Sequence, residues 1–306
     1  MFAAPPAVTA DVFTTIPEKF WRLGQRTHWG DVQFPGADTP TFLEGPSFDR
    51  AGNLWVTDIP WGRLFRISPD GEVSVGAEYD GEPNGLKFHK DGRGFITCHK
   101  HGIMEMDPET GVVKPFLERS ILERFKAVND LVFARNGDMY FTDQGQTGLQ
   151  DPSGRLYRLR AADGKLECLL NTIPSPNGLV LNKAENALFL AVTRANAIWK
   201  ITMLPDGTVT KVGTFIQMSG GSGPDGLAID EDDNIAVCHV GFGVVWLFSA
   251  LGEPMLRINS PNGILTTNCA YGGPDNRTLY FTESKTGSVL SARMPVPGRP
   301  MYSHQE

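Results

Sequence analysis

The sequence has little cysteine and no excess of positive charge. Its four cysteines, in 306 residues, show no Cys-x-x-Cys spacing and are too few for a dense disulfide framework. Free buried thiols in a cytoplasmic protein are therefore expected. The 28 Lys and Arg residues are outnumbered by 35 Asp and Glu residues, which gives a net charge of −7. This balance argues against a nucleic-acid partner or an anionic membrane, and a neutral small molecule suits it better.

Long apolar runs and linker-like stretches are also missing. No segment approaches the roughly 18 apolar residues of a membrane helix. The first residues, MFAAPPAVTADVF, lack the basic region and apolar segment of a secretory signal. We therefore expect a soluble cytoplasmic protein in which residues 1–306 form one domain. The oligomeric state stays open.

What the sequence does contain is a pattern that recurs six times. Each copy begins with Asn, Asp or Glu, usually followed by Gly, and continues with alternating apolar residues, a turn and a second apolar run. The first residues of the copies, which we call the anchor residues, are Glu44, Asn84, Asn129, Asn177, Asp225 and Asn268. The steps between them are 40, 45, 48, 48 and 43 residues, which is the spacing of propeller blades.

The remaining segments of each copy complete a four-stranded unit. A third apolar segment follows each anchor by 17 to 25 residues, and a short fourth segment such as 72–75 or 209–212 follows a turn. Short β-rich segments without amphipathic helices between them exclude a βαβ fold. The sequence therefore predicts an all-β protein, a six-bladed β-propeller with four antiparallel strands per blade.

The residues before the first anchor have two expected tasks. Residues 10–15 read as a strand, and we expect this N-terminal strand to complete the sixth blade and close the ring. Residues 16–43 are longer than closure needs and contain Trp29. They form either a packed surface crossing or a wall over the axial opening.

The anchor residues are the candidate functional residues, because equivalent positions of the blades converge on a propeller's axis. Asn and Asp are poor strand formers, although they can start strands through Asx-type turns. Such turns explain the Asn-Gly repeats but not the carboxylates of Glu44 and Asp225, which would be crowded near the axis without a cation. Two carboxylates, amide oxygens and waters match the oxygen ligands that calcium requires.

The sequence therefore predicts one divalent cation on the axis. Calcium is the first choice, and zinc, manganese or magnesium in the same oxygen site are alternatives. Softer metals would recruit Cys or His. We expect Cys98, His99, Cys238 and His239 to lie at the far ends of second strands, away from the anchors. A second metal near Asn84 is left open.

Four short motifs resemble one known family. They are Glu44-Gly45-Pro46, Asn129-Asp130-Leu131, Ser175-Pro176-Asn177-Gly178-Leu179 and Gly223-Pro224-Asp225-Gly226-Leu227. Together they resemble the gluconolactonase/regucalcin (senescence marker protein) family from about Glu44 to Thr282, and the related diisopropyl-fluorophosphatase and paraoxonase propellers. The resemblance implies that Glu44, Asn177 and Asp225 are metal ligands, with Asn129 a fourth ligand or a substrate contact.

The activity that the resemblance implies is metal-dependent opening of a small lactone. A cation would polarise the ester carbonyl, and Asp225 could accept a proton from the attacking water. A dyad of His99 and His101 is the competing base, although these histidines could also form a surface turn. The candidate substrate-binding residues are Asn129, Asn84 and Trp29.

Specificity is less defined than the reaction. The sugar-lactonase branch often has an arginine just before the third-blade Asn, and this chain has Phe125-Lys126-Ala127-Val128 there. A sugar acid lactone is therefore not implied. A related organophosphate or ester hydrolase and a non-catalytic calcium-binding propeller remain alternatives.

Overall fold

The computed structural model describes residues 4–305, so residues 1–3 and 306 of the expected domain lie outside it. Six of its sheets follow one another in a ring, each with four antiparallel strands, and the predicted six-bladed β-propeller is confirmed. The first strand of each blade contacts the first strand of the next, and that of the sixth blade contacts that of the first. The anchor residues lie near the starts of these innermost strands.

The first three blades are regular four-stranded meanders. Blade 1 has the strands Leu43–Phe48, Leu54–Asp58, Arg63–Ile67 and Val73–Glu78. Blade 2 has Pro83–Phe88, Gly94–Cys98, Gly102–Met106 and Val113–Leu117. Blade 3 has Val128–Phe133, Met139–Asp143, Gly154–Leu159 and Leu166–Ile173.

The last three blades include both strands from the amino-terminal segment. Blade 4 has Pro176–Leu181, Ala187–Val192, Ala197–Met203 and Val209–Gln217. Blade 5 has Gly223–Ile229, Ile235–Val240, Val244–Phe248 and Pro254–Asn259. Blade 6 has Thr266–Gly272, Thr278–Glu283 and Ser288–Arg293, and Asp11–Thr15 completes it as predicted. A strand that was not predicted, Ala7–Thr9, adds a fifth member to blade 5 in parallel with Pro254–Asn259.

Short elements connect the blades or lie across the ends of the ring. They are the helix His28–Gln33, the 3-10 turns Glu18–Phe20, Ile59–Trp61, Thr193–Ala195 and Tyr302–His304, and the small hairpin Arg119–Ser120 with Glu123–Arg124. Thr27 caps the helix by accepting a hydrogen bond from the Gly30 backbone N–H at 3.1 Å. No helix within residues 4–305 is long and apolar enough to cross a membrane.

The core lies between the blades, where neighbouring sheets pack face to face. Trp55 of blade 1, for example, packs with Leu86 and Ile96 of blade 2. The first and second strands are almost fully buried, whereas fourth strands such as Val113–Leu117 are largely exposed. Burial of apolar surface contributes about 25 cal/mol per Å², so the inner strands hold the ring together.

The four cysteines are free thiols. Three of them are buried as expected, but Cys168 is exposed on a fourth strand, where one face of the sheet meets solvent. The sequence did not distinguish this edge position from the buried ones.

Candidate active site and metal centre

A cavity of about 610 Å³ opens at the end of the axis where the innermost strands begin. Five of the six anchor residues line it, namely Glu44, Asn84, Asn129, Asn177 and Asp225. All five are at least nine-tenths buried. The structure therefore brings together the four predicted metal ligands and the predicted substrate-binding residue Asn84.

The glycine that follows most anchors has a packing role. A Cβ on Gly45 would lie 2.2 Å from the backbone oxygen of Asn84, and a Cβ on Gly226 would lie 2.1 Å from Oδ1 of Asn268. Neither contact is possible for a larger residue without movement of the backbone or of a buried side chain. These glycines let the innermost strands approach closely enough for the anchor side chains to meet.

Three of the cavity amides, those of Asn84, Asn129 and Asn177, have an oxygen atom without a partner. Oδ1 of each is buried and accepts no hydrogen bond from residues 4–305. Their NH₂ groups are engaged: Asn129 Nδ2 donates to Gln144 Oε1 at 3.1 Å, and the Asn177 side chain hydrogen-bonds Asp225. A buried unpartnered acceptor costs about 1–3 kcal/mol, and a cation in the cavity would offset that cost.

The surroundings of the two cavity carboxylates disfavour their charged forms. Burial raises the pKa of Glu44 well above its usual range, and the nearby charge of Asp225 raises it further. Burial also raises the pKa of Asp225, although the hydrogen bond from Asn177 opposes that shift. A bound divalent cation would stabilise both charged forms.

The donor set fits a hard cation. The described residues contain no group of three or more His, Cys, Asp or Glu side chains that could hold a metal ion, so a cation here depends on the amide oxygens as well as on the carboxylates. Carboxylate and amide oxygens are the ligands of calcium, and waters can complete its shell. The residues present therefore fit the predicted ion.

The prediction that His99 lies far from the anchors is wrong. The second strand of a blade runs antiparallel to the first, so its end lies beside the start of the first strand. Cys98 pairs with Pro83, and His239 pairs with Pro224 in the same way. All four Cys and His residues that were expected at the far ends therefore lie at the anchor end, and His99 lines the cavity.

The protonation of His99 follows from its two neighbours. Burial lowers the pKa of His99 to about 4, so the ring is neutral at neutral pH. Trp29 Nε1, which can only donate, lies 3.2 Å from His99 Nδ1, and Asn84 Nδ2 lies 3.0 Å from His99 Nε2. Because Nδ1 must accept, the ring proton resides on Nε2 and needs an oxygen. An Asn84 amide turned by 180° supplies Oδ1 to this proton and leaves Nδ2 for the cavity.

His101 does not join His99 in the cavity. Its Nε2 lies 2.8 Å from the backbone oxygen of Asp80 in the turn after blade 1. Both ring nitrogens of His99 are already engaged by Trp29 and Asn84. The structure therefore does not form the dyad, because His101 follows the strand end and points into the surface turn.

One wall of the cavity is apolar and comes partly from residues 16–43. Trp29 and Phe42 pack with ring centroids 4.9 Å apart, and Phe34, Ile59 and Leu265 join the same cluster. This segment therefore forms a wall over the axial opening, one of its two expected roles. The opposite wall carries polar side chains that sequence reasoning missed: Gln144, Gln146, Gln150, Ser175, Ser222 and Arg194. They lie in loops between strands or, for Arg194, in the 3-10 turn Thr193–Ala195, where no repeat marks them.

The fold and this site define a propeller with a buried, oxygen-lined ligand cavity on its axis, as in propeller enzymes. The family model described as the SMP-30/Gluconolactonase/LRE-like region matches residues 42–285, and the chain belongs to this family. The resemblance that the four motifs indicated is thereby confirmed.

Curated relatives include lactonases. Lactonase drp35 of Staphylococcus aureus is 32% identical over 233 residues, which cover 72% of this chain and 70% of the relative. Solved structures that share the fold include a gluconolactonase and a calcium-binding protein. A gluconolactonase from Xanthomonas campestris is 23% identical, with a TM-score of 0.73 and coverage of 83% of this chain and 86% of the other. The calcium-binding protein regucalcin from Agrobacterium tumefaciens is 24% identical, with a TM-score of 0.75 and coverage of 87% and 94%.

Proposed function

We propose that this protein is a metal-dependent hydrolase that opens a small lactone. The family membership and the lactonase relatives support the reaction class. The observation that carries the metal requirement is the pair of buried amide oxygens, on Asn129 and Asn177, that lack partners beside the carboxylates of Glu44 and Asp225.

The proposed ligands are Glu44, Asn129, Asn177 and Asp225, and calcium is the proposed ion. Zinc, manganese and magnesium are the alternatives that metal analysis has to separate. When bound, the ion would supply Lewis-acid polarisation of the ester carbonyl and would offset the negative charge of the buried carboxylates. Its binding also requires that both carboxylates are ionised.

The protein's own residues complete the reaction. We assign Asp225 as the acceptor of a proton from the water that attacks the carbonyl carbon; the same proton then passes to the ring oxygen as the C–O bond breaks. Asn84 donates Nδ2–H to a substrate oxygen. His99 holds Asn84 in that orientation. His99 is not the base, since its unprotonated nitrogen, Nδ1, already accepts a hydrogen bond from Trp29.

The shape of the cavity suits a small neutral substrate. The Trp29, Phe34 and Phe42 wall would contact the carbon skeleton of the ring, and the opposite glutamines and serines would contact its oxygens. We propose this division as the basis of substrate orientation.

The test is a screen of lactones, paraoxon and simple esters as substrates. A pH indicator follows the acid that hydrolysis releases, before and after chelation of the metal. We expect lactone turnover that chelation abolishes and calcium restores, together with about one calcium per chain by elemental analysis. Lactone turnover that survives complete chelation would contradict the metal requirement. Turnover of paraoxon alone would indicate a phosphotriesterase, and calcium binding without any turnover would indicate a binding protein.

A further inference from the structure

The sixth anchor residue, Asn268, is fully buried and does not line the cavity. Its Nδ2 donates to Glu44 Oε2 at 2.8 Å and lies 3.3 Å from Asp130 Oδ2. Its Oδ1 accepts from the Cys269 backbone N–H at 2.8 Å. Because Oδ1 is held by a backbone donor, the amide can only present NH₂ to the two carboxylates.

The contact with Asn268 leaves one oxygen of Glu44 available. Oε2 also accepts from the Gly45 backbone N–H at 2.7 Å, so two donors hold this oxygen in place. Oε1 has no hydrogen-bond partner within residues 4–305. The carboxylate is therefore oriented with one oxygen committed to the protein and the other free for a ligand.

Asn268 also lies close to a second carboxylate, that of Asp130, and Lys87 lies beside this carboxylate. Asp130 is buried, and its Oδ1 accepts from the Leu131 backbone N–H at 2.8 Å. Lys87 Nζ lies 3.9 Å from the same oxygen. Burial raises the pKa of Asp130, and Lys87 opposes that shift. The ammonium of Lys87 thus offsets a negative charge that would otherwise add to that of Glu44.

The sequence marks Asp130 by a break in the repeat. Four anchors are followed by Gly, whereas Asn129 is followed by Asp130 and Asn268 by Cys269. A Cβ on Gly85 of the neighbouring blade would lie 2.6 Å from Asp130 Oδ1, so that glycine makes room for the carboxylate. The four motifs imply a ligand role for Glu44 and include Asp130, but they assign no role to Asp130, Lys87 or Asn268.

We propose that Asn268 is a positioning residue for Glu44, and that Asp130, offset by Lys87, holds the Asn268 amide in the orientation that Glu44 needs. We call Lys87, Asp130, Asn268 and Glu44 the axial polar chain. The proposal rests on the proposed function, because it takes Glu44 as a ligand of the cation. A purely structural role would leave cation affinity unchanged in folded variants.

The experiment is calorimetric titration of chelator-treated protein with calcium chloride, or with the chloride of zinc, manganese or magnesium if the wild type binds that ion and not calcium, well below the unfolding temperature of each variant. For Asn268→Ala we expect roughly tenfold weaker calcium binding, the lower end of what outer partners of metal ligands contribute. Asn268→Val also removes the side-chain donor. Because valine favours strands, this variant can be used if the alanine variant does not fold. The control is Asn53→Ala, because Asn53 hydrogen-bonds Asp49 outside the axial polar chain.

The outcomes separate the two proposals. If the wild-type protein binds no calcium, zinc, manganese or magnesium, the proposed metal site fails and the positioning role fails with it. If the wild type binds calcium and the folded Asn268 variants bind it equally well, only the positioning role is overturned. Weaker binding by both Asn268 variants, with unchanged binding by Asn53→Ala, supports it.

Discussion

The two ends of the propeller axis come from the same repeat but differ in how their polar groups are satisfied. At the anchor end, buried amide oxygens of Asn129 and Asn177 lack partners in a cavity of about 610 Å³. At the opposite end the carboxyl-terminal residues 299–305 pack across the axis beside a cavity of about 110 Å³, and a further cavity of about 460 Å³ lies against Pro300, Met301 and His304. There Tyr302 stacks on Phe133 at 5.1 Å, and Arg50 Nε donates to the Ser303 backbone oxygen at 2.8 Å.

This difference indicates that the anchor end serves ligand binding and that the opposite end contributes to stability. Unpartnered buried oxygens cost stability and are retained where a ligand can satisfy them, whereas packed rings and paired donors contribute to stability directly. Substitutions at the anchor end should therefore change activity or metal affinity, and substitutions at the opposite end should change stability.

The largest effect is expected for Asp225→Asn. Loss of the proposed proton acceptor should lower kcat by about 100-fold or more at saturating calcium. The metal-free variant should be at least as stable as the wild type, because a buried carboxylate is removed. Steady-state kinetics and thermal unfolding of the metal-free protein check both points. Undiminished turnover at saturating calcium would exclude Asp225 as the base.

Removal of the charge of one proposed ligand should remove most of the stabilisation that calcium binding gives to the folded protein. At a free calcium concentration of 100 times Kd, the wild type should gain about 2.7 kcal/mol of unfolding free energy. Glu44→Gln should lose most of this gain, because a carboxylate ligand is replaced by an amide. Denaturant unfolding with and without calcium measures the difference. An equal gain in the variant would place the ion elsewhere.

At the opposite end, the buried pair of Asp138 and Arg158 predicts a pH-dependent loss of stability. The two side chains lie 2.6 Å apart. Burial opposes ionisation of Asp138, but the Ala161 backbone N–H and Arg158 together lower its pKa below the usual value. A lowered pKa in the folded state means that the stabilisation is present above the unfolded-state pKa of about 4 and is lost as the pH falls through the folded-state pKa.

Asp138→Asn should therefore lower the unfolding free energy by about 2–3 kcal/mol at pH 7 and by less at pH 3. Denaturant unfolding at both pH values checks this, and kcat should stay unchanged at pH 7. A loss that is equal at both pH values would show that the charge of Asp138 does not matter.

A smaller effect is expected where the carboxyl-terminal segment packs. Tyr302→Ala removes the stack on Phe133 and should cost about 1–2 kcal/mol of unfolding free energy. Tyr302→Phe keeps the ring and serves as the matched control. Calcium affinity and kcat should not change in either variant. A fall in calcium affinity would show that the two ends of the axis are coupled.

The sequence predicted the ring well because each blade is a local unit with its own hairpins and turns. The anchor column was predicted for the same reason, since a repeat places equivalent residues at equivalent depths. The position of His99 was missed because antiparallel pairing, which the sequence implies only indirectly, returns the end of the second strand to the anchor end. The roles of Asn268 and Asp130 depend on which amide atom faces which carboxylate, and that requires side-chain coordinates.

The smallest effect concerns the apolar wall at the anchor end. Trp29→Phe keeps an aromatic ring beside Phe42 but removes the N–H that donates to His99 Nδ1. Without that donor the ring proton can move to Nδ1, and Asn84 then loses the contact that presents its NH₂ to the substrate. We expect a three- to fivefold rise in KM with little change in calcium affinity, since one neutral hydrogen bond contributes about 1 kcal/mol. Nitrogen NMR shifts of His99 should show the Nε2–H tautomer in the wild type and a mixture in Trp29→Phe. An Nδ1–H tautomer in the wild type would contradict the role assigned to Asn84.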